Sequence, residues 1–182
     1  MRKKLLLVDD EETALLSHKR QLSSYAAKNG LSLVMSNSSL DALEILKREH
    51  EDVALIICDQ KMPHLKGTEL LLKVKSLYSD IVSIIVSGYG EVDELIDAVR
   101  VGVFSYVMKP CRKSHLVEEV DKAMGVVRLR EQNREFVRTI SNELQWAGDL
   151  QERLLEIDYP QSDRLSFSVS YQPLSVLHCG GD

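Results

Sequence analysis

Carboxylates follow two apolar segments of this chain at positions where they could hold a cation. Asp9 and Asp10 come directly after the apolar residues 5–8, and Asp59 follows the apolar run in LIICDQKMP. Three carboxylates held together repel one another, which is costly at the edge of a low-dielectric sheet unless a cation lies among them. Hard oxygen ligands suit Mg²⁺, which usually keeps some of its waters. The residue types therefore predict a magnesium site.

A serine and a lysine end two further apolar segments. Ser87 closes the run that starts at Val82, and Lys109 follows the run that ends at Met108, with Pro110 behind it. If these segments are neighbouring strands, Lys109 supplies a fixed positive charge beside the carboxylates.

The segments that carry these residues are short, apolar and separated by helical patterns. Strands that are apolar along nearly their whole length indicate a parallel sheet covered on both faces. Doubly wound sheets of this kind bind ligands outside the carboxyl ends of their strands. The predicted fold is α/β, with five strands alternating with helices over residues 1 to about 125, and the predicted strands are Leu5 to Val8, Leu31 to Met35, Val53 to Cys58, Val82 to Ser87 and Phe104 to Met108.

Composition narrows the classes of function. The chain has 182 residues, 44% of them hydrophobic, and a formal net charge of −5, which disfavours a nucleic-acid binder. Its three cysteines lack the spacing of a zinc site and are predicted to be reduced thiols. No apolar run reaches the length of a membrane span, so a cytoplasmic protein without membrane contact is expected.

Four segments together resemble the receiver domain of two-component response regulators. They are LLVDDEE, IICDQKMPHLKG, IIVSGYG and FSYVMKP, in that order and spacing, within about two thirds of the chain. The resemblance implies a flavodoxin-like, CheY-like fold and a sensor histidine kinase as partner.

By this resemblance Asp59 is the phosphoacceptor, a carboxylate nucleophile that forms an acyl phosphate. Asp9 and Asp10 correspond to the metal-binding pair, and the backbone carbonyl of Lys61 would complete the Mg²⁺ ligands together with Asp59. Asp9 and Asp10 could instead be acids that complement a helix dipole.

The resemblance also assigns roles to three residues at the ends of the last two strands. Ser87 would bind the phosphoryl oxygen through its hydroxyl, and Lys109 would pair with it through its ammonium. Tyr106 would be the aromatic switch that packs inward on activation. An ordinary core aromatic is an equally open interpretation of Tyr106.

Residues 126–157 follow a seven-residue repeat that favours a coiled-coil linker. Eight of ten core positions are apolar, and the single Asn133 at an a position favours a two-stranded parallel homodimer in one register. The alternative is a long helix that folds back on its own receiver. The a positions are Val126, Asn133, Ile140, Ala147 and Leu154, and the d positions are Leu129, Phe136, Glu143, Leu150 and Ile157.

Residues 158–182 change character and predict the truncated beginning of a β-rich domain. Polar and apolar residues alternate in RLSFSVSYQP, as in a half-buried strand. With the preceding LQERLLEIDYP and the final CGGD, this segment resembles the start of PP2C-like serine/threonine phosphatases of the sporulation and stress-response type. Asp182 would then be the first ligand of an Mg²⁺ or Mn²⁺ site that activates water. A generic β-hairpin tail is the alternative.

The function expected from these features is a response regulator whose receiver controls a phosphatase through a dimeric linker. The client would be a protein such as an anti-sigma-factor antagonist. The alternative is a phosphorylation-dependent adaptor with a degenerate phosphatase-like domain, so the sequence leaves open whether the parent protein is an enzyme.

Overall fold

Strands and helices alternate along the chain in the predicted βα order. The computed structural model describes residues 2–88 and 92–155, except for the side chains of residues 92–94, 151, 152, 154 and 155. The strands are β1 (Lys4–Val8), β2 (Ser32–Ser36), β3 (Val53–Asp59), β4 (Val82–Ser87) and β5 (Ser105–Met108). The helices are α1 (Glu12–Asn29), α2 (Ser39–Glu49), α3 (Gly67–Leu77), α4 (Val92–Val101) and α5 (Lys113–Leu155).

The five strands form one parallel sheet in the order β2-β1-β3-β4-β5. This arrangement confirms the predicted five-stranded parallel sheet of the receiver type. All seven residues of β3 are buried because the strand lies at the centre of the sheet and has helices on both faces. The order of the strands reverses between β1 and β3, and ligands bind beside such a reversal in open α/β sheets.

Each face of the sheet has its own apolar layer. Leu5 and Leu7 of β1 pack in the layer that includes Leu22 of α1 and Leu116 of α5. Leu6, the residue between them, packs in the opposite layer with residues of α2, α3 and α4. Successive side chains of a strand point to opposite faces, so one apolar run serves both layers.

Five strand ends differ by one residue from the prediction, namely the starts of β1, β2 and β5 and the ends of β2 and β3. The start of β2 has a local cause. The amide of Leu31 donates to the carbonyl of Ala26 and belongs to the end of α1, where Gly30 takes a left-handed conformation with φ of 63°. Glycine adopts this conformation without a Cβ clash. Asp59 is the last residue of β3 and not the residue after it.

Helix α5 is the long helix expected after the receiver strands, and it runs over 43 residues. The chain divides into two units, residues 1–131 and 132–182. Of the predicted a and d residues, Val126 packs against the core, whereas Leu129, Phe136, Ile140 and Leu150 are exposed. The β-rich segment at 158–182, with Asp182 and the heptad residue Ile157, lies outside the described residues. The domain boundaries at 125 and 157 stay predictions.

Hydropathy gives no sign of a membrane span in the described ranges. Among the helices at residues 2–88 and 92–155, none combines the length and the apolar character that a bilayer crossing requires.

Candidate functional site

The structure brings the three predicted carboxylates together at the carboxyl ends of β1 and β3. Val8 of β1 pairs with Cys58 of β3, so the residues that follow them are neighbours. The side chains of Asp9, Asp10 and Asp59 each offer an oxygen, and these oxygens lie within 4.8 Å of one another. Asp9 and Asp59 are buried and Asp10 is exposed, which leaves one side of the cluster open to solvent.

Lys109 lies between the two buried carboxylates. Its Nζ is 2.7 Å from Oδ2 of Asp9 and 2.6 Å from Oδ1 of Asp59. The backbone amide of Lys109 donates to the carbonyl of Ser87 at 2.6 Å, so the end of β5 stays joined to the end of β4. One lysine therefore neutralises only part of the charge that three carboxylates carry.

Main-chain amides fix the remaining oxygens of the buried carboxylates. The amide of Lys61 donates to Oδ2 of Asp59 at 2.7 Å, and the amide of Glu11 donates to Oδ1 of Asp9 at 3.0 Å. Hydrogen bonds from backbone amides favour the ionised form of a carboxyl group. Both side chains are thus held in one orientation by the loop that follows their own strand.

Ser87 and Tyr106 lie on β4 and β5, on the strands where the sequence predicts them. Ser87 is the last residue of β4 and is buried, and it pairs with Met108 of β5. Tyr106 is partly buried and packs against the apolar layer that faces α2, α3 and α4. This packing is compatible with both interpretations of Tyr106, the switch and the core aromatic.

Burial and ion pairing compete in setting the pKa values of Asp59 and Lys109. Burial raises the pKa of Asp59, and this effect exceeds the opposing influence of Lys109 and the Lys61 amide, while the charge of Asp9 also raises it. Burial alone would lower the pKa of Lys109, but its ion pairs with Asp59 and Asp9 outweigh burial and raise it. A divalent cation among the carboxylates would favour the ionised form of Asp59.

The donor set fits Mg²⁺ in both chemistry and spacing. Ligands on one Mg²⁺ at roughly 2.1 Å lie at most about 4.2 Å from one another. The carboxylate oxygens, all within 4.8 Å, need only small side-chain movements to reach that separation. The ligand atoms are hard oxygens, and the partial neutralisation by Lys109 leaves negative charge for a cation to balance.

Gln60 and Thr68 form a polar pair beside Asp59, and Gly67 packs against the same backbone, an arrangement that the sequence did not predict. Gln60 is 2% exposed, and its side-chain Oε1 accepts from the amide of Thr68 at 3.1 Å. Its Nε2 donates to the Thr68 hydroxyl at 3.3 Å. A Cβ on Gly67 would lie 2.2 Å from the Asp59 carbonyl oxygen. The only sequence signal was a glutamine placed directly after an apolar strand.

A histidine and a cysteine also pack near the site without having been predicted there. His18 of α1 is buried, and its Nε2 lies 3.7 Å from Sγ of Cys111, two residues after Lys109. Burial lowers the pKa of His18 and favours the neutral imidazole. This contact joins α1 to the segment that carries Lys109.

Comparison with known protein families agrees with this geometry. Residues 5–121 match the family described as the response regulator receiver domain, which is more than half of the chain. The chain belongs to this receiver family. Receiver domains generally bind Mg²⁺ at an acidic pocket, and the cluster of Asp9, Asp10 and Asp59 is such a pocket. The fold, the receiver assignment and the role in phosphorylation-based signalling thus agree with the resemblance found in the sequence.

Curated proteins and solved structures give the same assignment. The hydrogenase transcriptional regulatory protein HoxA of Bradyrhizobium diazoefficiens is 33% identical over 129 residues, 70% of this chain and 25% of its own length. The regulatory protein AtoC of Escherichia coli is 29% identical over 143 residues, 79% of this chain and 30% of its own. A crystal structure of a receiver domain protein from Clostridium thermocellum is 30% identical with a TM-score of 0.63, covering 70% of this chain and 98% of that one. The receiver thus spans about a quarter to a third of these two curated relatives.

Proposed function

We propose that this chain accepts a phosphoryl group on Asp59 from a sensor histidine kinase. The single observation that supports this most strongly is the position of Asp59, buried at the end of β3 with Asp9, Asp10 and Lys109 around it. A carboxylate oxygen of Asp59 attacks the phosphorus of a phosphohistidine. The phosphorus–nitrogen bond breaks, and the imidazole nitrogen of the donor leaves with the electron pair.

The residues around Asp59 would stabilise the negative charge of the transferring phosphoryl group in different ways. Asp9, Asp10, Asp59 and the Lys61 carbonyl would hold Mg²⁺, which supplies charge neutralisation for the transferring phosphoryl group. Lys109 offers a second positive charge that can follow the phosphoryl oxygens once they arrive. The Lys61 amide, at 2.7 Å from Oδ2, keeps the acceptor carboxylate oriented during the attack.

Phosphorylation would act on the rest of the receiver through charge. A phosphoryl group adds negative charge and acceptor oxygens, which would draw in the hydroxyl of Ser87 and the ammonium of Lys109. Both lie at the ends of β4 and β5, and Tyr106 on β5 would change its packing in response. The population of a conformation already sampled by the free receiver would increase.

The proposal is tested with a small-molecule donor in place of the kinase. Acetyl phosphate with Mg²⁺ should add the mass of one phosphoryl group to the wild-type chain and none to Asp59→Ala. Equal labelling of both proteins would refute the assignment of the acceptor. The cytoplasm, where Mg²⁺ and histidine kinases are available, is the proposed location.

For the linker, we infer a parallel homodimer through residues 126–157 of α5. The exposed side chains of Leu129, Phe136, Ile140 and Leu150 support it, because large apolar side chains at a and d positions are stabilised when a second helix covers them. Asn133 is exposed and would meet its symmetry mate in that seam. The domain boundaries proposed with this linker are 1–125, 126–157 and 158–182.

Two outputs are proposed for the parent protein, and different observations favour them. The segment from Leu150 to Asp182 favours a PP2C-like phosphatase with an Mg²⁺ or Mn²⁺ site, or an adaptor that has kept the fold and binds a client such as an anti-sigma-factor antagonist. The names of the curated relatives describe transcriptional regulators and favour control of transcription. Phosphoserine phosphatase activity of the parent protein that is lost in Asp182→Ala would support the first. Specific DNA binding by the parent without such activity would support the second.

A further inference from the structure

We propose that Gln60 is a positioning residue for phosphoryl transfer. Its side-chain amide is hydrogen-bonded to the first turn of α3 and so fixes the loop after Asp59. This loop in turn keeps the Lys61 amide directed at the carboxylate of Asp59. This inference rests on the proposed function of Asp59 and adds a residue with no role in the chemistry itself.

All the polar groups of Gln60 are engaged in hydrogen bonds. Its amide donates to the carbonyl of Val86 on β4 at 3.1 Å, and its carbonyl accepts from the amide of Gly67 at 3.0 Å. Its side chain makes both hydrogen bonds to Thr68. A side chain that is 2% exposed and hydrogen-bonded through both its oxygen and its nitrogen has little freedom to rotate.

The bonds to Gly67 and Thr68 replace a helix cap. The first amides of a helix have no partner within the helix, and an oxygen of the N-cap side chain usually accepts one of them. The residue before α3 is Lys66, whose ammonium has no acceptor to offer. The carbonyl and the side-chain oxygen of Gln60 accept from the first two amides of α3 instead. Oε2 of Glu69 accepts from the amide of Lys66, and Gln60, the residue next to the proposed phosphoacceptor, accepts from the first two amides of α3.

Close packing between Gly67 and the backbone of Asp59 is a second, independent contact between α3 and the end of β3. A Cβ on Gly67 would lie 2.2 Å from the carbonyl oxygen of Asp59 and 3.0 Å from Cα of Gln60. The start of α3 thus lies directly on the peptide between these two residues. A shift of this turn toward β3 would therefore press on the backbone that carries Asp59.

The contacts between Gln60 and α3 affect phosphoryl transfer through the main-chain groups of Lys61. Its amide donates to Oδ2 of Asp59 at 2.7 Å, and its carbonyl is the proposed main-chain ligand of Mg²⁺. Gln60 lies between Asp59 and Lys61, so its fixed backbone sets the direction of the Lys61 amide and the position from which the Lys61 carbonyl extends. Loss of a partner that orients a metal ligand typically weakens metal binding by about 10–100-fold.

The test uses Gln60→Met, which keeps the length of the side chain and removes its hydrogen bonds. Thr68→Val and Thr68→Ser form a matched pair, because only serine keeps the hydroxyl that Nε2 of Gln60 donates to. Val74→Ala is the control for stability: Val74 is buried in the same helix and is absent from the Gln60 hydrogen bonds. The full 182-residue chain is used, with the Mg²⁺ dissociation constant from calorimetry, the Mg²⁺ dependence of labelling by acetyl phosphate, and urea unfolding.

We expect Gln60→Met to bind Mg²⁺ roughly tenfold more weakly than wild type and to need correspondingly more Mg²⁺ for half-maximal labelling. Thr68→Val should lose less magnesium affinity than Gln60→Met, and Thr68→Ser should keep the affinity of the wild type. Val74→Ala should lower the free energy of unfolding and leave both magnesium values unchanged. If Gln60 acted only through stability, Val74→Ala and Gln60→Met would change the magnesium dissociation constant and the magnesium dependence of labelling to a similar extent.

Magnesium affinity of Gln60→Met within about twofold of wild type would overturn the inference. If Gln60→Met does not fold, equal affinities of Thr68→Val and Thr68→Ser overturn it, and a weaker affinity of Thr68→Val alone supports it. A wild-type chain that binds Mg²⁺ but is not labelled at Asp59 refutes the proposed function instead, and the magnesium affinities still decide the role of Gln60.

Discussion

Nζ of Lys109 lies 2.6 Å from Oδ1 of Asp59. The two side chains come from the ends of β5 and β3, which have β4 between them in the sheet. Lysine is long enough to cross that width, so its ammonium lies beside the carboxylate that we propose as the phosphoacceptor. The same ammonium competes with a metal ion for the carboxylates.

Replacing Lys109 with methionine should therefore have opposite effects on metal binding and on phosphorylation. Mg²⁺ should bind more tightly, because Lys109→Met removes the positive charge that neutralises Asp9 and Asp59. Labelling at saturating Mg²⁺ should fall by roughly tenfold or more, because one charge-assisted contact to the phosphoryl oxygens is lost.

Calorimetry gives the magnesium affinity of this variant, and the rate of labelling by acetyl phosphate gives the chemistry. Lys113→Met is a suitable control, since Lys113 is an exposed lysine that begins α5. Weaker magnesium binding by Lys109→Met would contradict the account of competing cations.

The glycine at the start of α3 should not tolerate a methyl group. In Gly67→Ala the new Cβ would meet the Asp59 carbonyl oxygen at 2.2 Å, so the backbone must shift, at a cost of about 1–3 kcal/mol in the free energy of unfolding. In Gly125→Ala the nearest atom is 3.9 Å away, within helix α5, and a gain of about 0.5–1 kcal/mol is expected. Urea unfolding of both variants checks the pair. Equal free energies of unfolding for Gly67→Ala and Gly125→Ala would show that the start of α3 does not pack directly against the peptide between Asp59 and Gln60.

Ionisation of the Tyr25 hydroxyl should lower the free energy of unfolding as the pH rises into the alkaline range. Burial, followed by the hydrogen bond to Asp121, raises the pKa of Tyr25 from 10.0 to about 12. A pKa raised on folding means that the neutral phenol stabilises the native state fully below about pH 10 and loses this effect as pH rises to about 12. The difference in unfolding free energy between wild type and Tyr25→Phe should therefore shrink over this interval. A constant difference would contradict the shifted pKa.

The linker proposal is tested by the oligomeric state. Wild type should have the mass of a dimer in light scattering, and Ile140→Asp should be a monomer because it places a charge in the apolar seam. Gln145→Asp adds the same charge on the opposite side of α5 and should stay dimeric. A monomeric wild-type chain would remove the coiled coil and favour the helix that folds back on its receiver.

The sequence predicted the sheet and the acidic cluster because both depend on patterns along single strands. Apolar runs predicted the strands, and Asp9 and Asp59 directly follow or end two of them, so the parallel topology was enough to bring them together. The predicted boundary at Leu31 was wrong by one residue because an apolar residue after a helix cap resembles the first residue of a strand.

Other features of the site could not be predicted, since they depend on the path of loops. The capping of α3 by Gln60 requires the turn between residues 60 and 67 to bring the helix back onto β3. The contact between His18 and Cys111 joins segments that are 93 residues apart. His18 shares the helical spacing of the buried Leu15 and Leu22, but that spacing does not identify Cys111 as its neighbour. Such contacts follow from packing in three dimensions and leave no periodic signal.

The assignment of Asp59 is tested most sharply by locating the phosphoryl group on the chain. The protein is labelled with acetyl phosphate and Mg²⁺, the acyl phosphate is reduced with borohydride, and the peptides are sequenced by mass spectrometry. We expect homoserine at position 59 in place of Asp59. Homoserine at position 9 or 10, or no conversion at any aspartate, would contradict it.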